Sequence, residues 1–155
     1  MQLNDEILLG LEKFLAEKYI KSQDKILFQA CYNPAMSLDS IVHIVTKTFQ
    51  DKLFSMIREK NLDEVDVYKN ANITRQAFSK IRSEKDYHPS KNTVFSLAIG
   101  MKLNMDEASE LLEKAGYTFS SASKSDLIVQ YFIYHKIYNI DAINEALNKY
   151  GFGTL

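Results

Sequence analysis

A single cysteine, Cys31, occurs in the 155 residues. That excludes an internal disulfide, and the apolar neighbours in ILFQACYNP point to a buried, unreactive thiol in a reducing cytoplasm. A large charge of either sign is also missing: 19 Lys and Arg stand against 20 Asp and Glu, a formal net charge of -1. The chain therefore does not coat nucleic acid by bulk electrostatics, and any DNA affinity must come from a local patch. No apolar run approaches the roughly 20 residues that a membrane-spanning helix needs. The opening MQLNDEILLGLEKFLAEK carries acids where a signal peptide would carry bases.

The motifs of chemistry are equally scarce. There is no glycine-rich phosphate loop, no nucleophile elbow and no H-x-E…C-x-x-C arrangement. His43, His88 and His135 are scattered, and no histidine or cysteine pair has zinc-ligand spacing. The carboxylate pairs Asp63/Glu64 and Asp106/Glu107 fall at helix starts, where the macrodipole accounts for them. The expectation is a protein that is not an enzyme, with no catalytic residues, metal or cofactor.

What is present is helical periodicity. Leu3, Ile7, Leu8, Leu11, Phe14 and Leu15 lie on one face of a helix ending near Tyr19. DKILFQACYNP reads as a strand or a buried helical turn, and Asn33-Pro34 ends it either way. From a cap at Ser37, the positions Leu38, Ile41, Val42, Val45, Phe49, Leu53, Met56 and Ile57 mark one long helix to about Lys60. Shorter helices follow over Asp63 to Ala71 and Thr74 to Ser83, then one capped by Ser90 and one capped by Asn104, the last with Gly116 just past its end. Beyond SSASKS, Asp126 to His135 is apolar on nearly every face, and DAINEALNKY adds a final helix. The expected fold is all-α: a helical extension over residues 1–36, a five-helix core over 37–119, and a helical pair over 120–155.

Residues 63 to 83 meet the requirements of a helix-turn-helix: two short helices, a tight turn, and inward apolar positions at Val67, Ala71, Ile73, Phe78 and Ile81. Arg75, Gln76, Ser79, Lys80 and Arg82 are left wholly or partly outward, and these side chains suit bases and phosphates. Charge agrees, since Thr74 to Asn92 holds five cations against two acids, while residues 1–41 and 101–155 are each net -2.

The stretch LFSMIREKNLDEVDVYKNANITRQAFSKIRSEKDYHPSKNTVFSLAIGMKLNMDEASELLEKAG resembles the lambda-repressor-like (Cro/repressor type) helix-turn-helix domain over about residues 50–117, including Pro89-Ser90 before the fourth helix and GMKLNMDE before the fifth. It departs from that family at Tyr68, where a small alanine is usual, and at Asn72, where the turn usually has glycine. With SSASKSDLIVQYFI and NIDAINEAL added, residues 50–148 also look like a largely uncharacterised bacterial domain that occurs attached to macro domains. That likeness implies that the last helices belong to the module.

The resemblance implies a repressor-like core and a DNA-binding protein, a transcriptional regulator with the helix at 74–83 in the major groove of double-stranded DNA. Arg75, Gln76 and Ser79 would face base edges; Lys80, Arg82, Lys85, Lys91 and Asn92 would hold phosphates; Thr74 would cap the helix and touch the backbone. The alternative is a protein-interaction module on the same fold, a regulator or inhibitor of a macromolecular partner with a phage or defence role. Leu127, Val129, Tyr131, Phe132 and Tyr134 offer more apolar area than one neighbour would cover, which marks a homodimer or partner interface.

Overall fold

A computed structural model describes residues 48–155 apart from Lys85, together with Ala35 and Ser37. The expected first helix, the junction around Cys31, His43, Lys85 and the first part of the helix expected from Ser37 lie outside the described residues. Residues 47–155 form one compact unit. Its described residues contain seven helices and no strand: α1 (Phe49–Glu59), α2 (Glu64–Asn70), α3 (Arg75–Ser83), α4 (Lys91–Gly100), α5 (Met105–Lys114), α6 (Lys124–Tyr134) and α7 (Ile140–Lys149).

Each helix begins where a short polar side chain can take the first free backbone N–H groups. The caps are Thr48, Asp63, Thr74, Ser90, Asn104, Ser123 and Asn139, each contributing about 1 kcal/mol. Thr48 corrects the single helix expected from Ser37 to Lys60. Its backbone is extended, its hydroxyl accepts from Asp51 N at 3.2 Å, and its own N–H donates to Asp51 Oδ2 at 3.2 Å. This reciprocal box starts the helix at Phe49 although the apolar period of the sequence runs straight through it.

The helix ends show a second regularity. Asn61, Asn72, Lys102, Gly116, Lys136 and Gly151 all take positive φ, between 52° and 82°. In each case the next N–H reaches back to the carbonyl five residues before it, as Ile73 N does to Tyr68 O at 2.9 Å and Leu103 N to Ala98 O at 3.0 Å. Six of the seven helices thus close with the left-handed cap that satisfies their last carbonyls. Only α3 ends otherwise, on extended Glu84.

The core is built around α4, whose residues Val94 to Gly100 are all buried. Helices α2, α5 and α7 pack on it, α1 packs on α5, and α6 lies against α5 and α7. Lys60 at the end of α1 pairs with Glu107 in the first turn of α5 at 2.9 Å. Burial alone would raise the Glu107 carboxyl, but the bonds from Lys60 and Asn104 and the charges of Lys60 and Lys52 outweigh it and hold it below its ordinary value.

One contact sets how near α2 lies to α4. A Cβ on Gly100 would sit 2.7 Å from Ala71 N, 2.8 Å from Ala71 Cβ and 2.8 Å from Val67 O, so the backbones meet there with no room for a methyl group. Gly100→Ala would favour an isolated helix by about 1 kcal/mol, yet here it is expected to destabilise by about 2 kcal/mol. Lys102→Gly, two residues on and at φ 53°, is expected to stabilise by about 0.5 to 1 kcal/mol. Urea denaturation of the two variants checks the opposite signs.

Candidate nucleic-acid interface

Helix α3 is placed by its inward side chains. Phe78 and Ile81 are buried with Val67 of α2 and Ala71 at its end, and Ile73 in the turn is half-buried. Asn72 takes φ 54°, so asparagine supplies the left-handed turn where the resembled family usually has glycine. The Tyr68 ring is half-buried against Phe78, with centroids 5.6 Å apart and planes tilted by 44°. It fills the angle between the two helices from the side.

The free end of α3 is held from elsewhere in the chain. Gln50 of α1 donates its amide to Ile81 O, and at 3.0 Å to both Arg82 O and Glu84 O. One side chain thus serves the carbonyls of Ile81 and Arg82, the positions that a left-handed cap satisfies in the other helices, and shares its two N–H groups with that of Glu84 as well. The following loop is pinned by Tyr117, whose hydroxyl donates to Pro89 O at 2.8 Å and whose ring lies 5.3 Å from His88.

On the outer side, Arg75, Gln76, Ser79, Lys80 and Ser83 are exposed and fall on one face by spacing. Helix α3 contains no acid. Arg75 and Lys80 make no ion pair, and no side chain in this set hydrogen-bonds within the described residues. Thr74 is engaged as the cap, accepting from Ala77 N at 3.1 Å. Five other helices carry an acid in their first turn, whereas α3 and α4 carry none. At α4 a carboxylate arrives from outside, since Asp126 pairs with Lys91 at 2.5 Å. The first turn of α3 brings no acid of its own to the positive end of the helix.

Arg82 and Lys91, two of the other cations named from the sequence, have partners within the chain. Arg82 pairs with Glu64 and its guanidinium lies 5.5 Å from the Phe54 ring centre and 5.8 Å from that of Phe78. Lys91 is half-buried on Asp126, which is itself 3% exposed and also accepts from Ser120 N at 2.8 Å. Asn92 donates to Thr154 O at 3.3 Å. The structure therefore gathers Thr74, Arg75, Gln76, Ser79 and Lys80 on one helix and sets Arg82, Lys91 and Asn92 into intramolecular contacts. Gln50 was not foreseen, because a side chain acting 31 to 34 residues away leaves no local pattern.

The second set divides as well. Leu127, Tyr131 and Tyr134 are exposed and Phe132 is half-buried, but Val129 is 1% exposed. Four residues before the equally buried Ile133, it faces the core rather than a partner. Among the described residues no group of His, Cys, Asp or Glu could hold a metal ion, and no helix is long and apolar enough to cross a membrane.

Comparison of the chain with protein-family models, with curated proteins and with solved structures finds no match in any of the three. The likeness to the repressor-like domain rests on the motif residues themselves. Replacing Gln50 by Ala is expected to cost about 1 to 2 kcal/mol of stability, since it leaves carbonyls of α3 without a protein donor. Hydrogen exchange of the amides in the last turn of α3 should rise, while that of α5 should not.

Proposed function

We propose that the protein binds double-stranded DNA as a repressor-like helix-turn-helix, with α3 in the major groove, and that it acts as a transcriptional regulator. One observation carries this reading: α3 presents Arg75, Gln76, Ser79 and Lys80 on an acid-free face, unengaged by other described side chains, on a helix whose first turn carries no acid. Cationic and amide side chains left unpaired on a rigid helix suit guanine and adenine edges and phosphate oxygens. Arg75, Gln76 and Ser79 would read bases. Lys80 would hold a phosphate, and the first turn behind Thr74 would offer backbone N–H groups to another.

A second reading, docking of a protein partner, is favoured by the exposure of Leu127, Tyr131 and Tyr134 on α6.

Titration with mixed-sequence duplex DNA should give an affinity that falls steeply with salt, because each phosphate contact releases counterions. Lys80→Ala should weaken all sequences alike. Arg75→Ala and Gln76→Ala should each cost about 1 to 3 kcal/mol on a selected site and relax the preference at one position. Arg82→Ala should lower stability, through loss of Glu64, Phe54 and Phe78, more than it lowers affinity. Affinity unchanged in Arg75→Ala and Lys80→Ala would reject the assignment.

A further inference from the structure

Four of the six most exposed large apolar side chains among the described residues lie on α6 or just past its end: Tyr134 at 76%, Tyr131 at 58%, Leu127 at 45% and Ile137 at 42%. Leu127, Tyr131 and Tyr134 are spaced four and three apart, so they form one stripe about 10 Å long on the helix surface. The stripe is ordered in advance. Tyr131 lies 5.9 Å from the Phe132 ring and 4.3 Å from His135, which in turn lies 5.5 Å from Tyr134. Rings already held in place lose little freedom on binding.

On α6 itself the free charge is of one sign. Lys124 and Lys136 are exposed at its two ends, neither of them ion-paired among the described residues, and the one acid of α6, Asp126, is buried on Lys91. From this apolar stripe between two cations, we propose that the exposed face of α6 is a docking surface for an acidic amphipathic helix of a partner protein. Leucine-type side chains at a spacing of three and four would lie along Leu127, Tyr131, Tyr134 and Ile137. Carboxylates flanking them would meet Lys124 and Lys136. This rests on the second reading of function and not on DNA contact by α3.

Two other occupants fit less well. Antiparallel pairing of α6 with a second copy about Tyr131 would bring Lys124 of each chain toward Lys136 of the other, like charges at both ends with no carboxylate on the stripe to separate them. A nucleic-acid strand would find cations and rings, but Leu127 and Ile137 offer nothing to a phosphate backbone.

The test is a fluorescence-anisotropy titration of the full chain with two synthetic helical peptides of about four turns. Both have leucine at every third and fourth position; one has glutamate elsewhere and the other lysine. The glutamate peptide should bind at least tenfold more tightly than the lysine peptide. The double variant Tyr131→Ala/Tyr134→Ala should lose at least tenfold, and Lys124→Glu/Lys136→Glu should reverse the preference between the peptides. Both variants change exposed positions, and both should bind duplex DNA as the unmodified chain does, which separates a failure here from a failure at α3. Equal binding of the two peptides, or glutamate-peptide binding unchanged in the tyrosine variant, would overturn the proposal. So would a dimer in light scattering that the tyrosine variant dissociates, which would give the face to a second copy. Loss of duplex binding in that variant would give it to nucleic acid, with the same consequence.

Discussion

The close approach of α2 to α4 at Gly100 is the constraint on which the presentation of α3 depends. Helix α4 is buried along Val94 to Gly100 and cannot shift without moving α5 and α7. The missing side chain at Gly100 lets Val67 and Ala71 rest directly on it. With α2 fixed, the turn at Asn72 and the packing of Phe78 and Ile81 orient α3, because backbone in close contact leaves no slack to absorb. In the proposed DNA complex the groove-facing side chains of α3 must be held within a fraction of an ångström of their targets; the apolar contacts that position α3 lie behind it and leave the outer face untouched.

The way α3 ends serves the same purpose. Six helices use a local left-handed cap, four of them on Asn or Lys, which adopt that conformation at some cost. Helix α3 instead borrows Gln50 from α1, so its last turn is tied to a distant element rather than to its own chain. Arg82 strengthens the tie through Glu64 and the Phe54 and Phe78 rings. The cations divide accordingly: Arg82, in the last turn of α3, is spent on structure, whereas Arg75 in the first turn and Lys80 in the last make no ion pair among the described residues.

Much of this was legible in the sequence where the signal is local. Thr74, Ser90 and Asn104 cap the helices they were expected to cap, and Asn72 adopts the left-handed turn. The inward set Val67, Ala71, Phe78 and Ile81 is buried. What escaped lies in two classes. At Thr48 two signals competed: an apolar period running from Leu38 to Ile57 concealed a capping box that marks a break. Elsewhere the contacts join residues far apart in sequence, such as Lys91 with Asp126, Asn92 with Thr154, and Gln50 with the end of α3. Such contacts depend on how helices pack, and periodicity carries no information about them. Hence Lys91 and Asn92, cationic and amide groups beside a helix start, read as phosphate ligands until their partners are seen. Val129 likewise reads as surface on a helix apolar all round, where periodicity cannot say which side the core takes.

The central claim, that the outer face of α3 meets DNA, is tested most directly by following backbone amide resonances while a mixed-sequence duplex is added to the full chain. The largest changes should fall on Thr74 to Lys80, with α5 and α7 little affected. Changes confined to α6, or none at DNA concentrations well above those of weak non-specific binding, would contradict it.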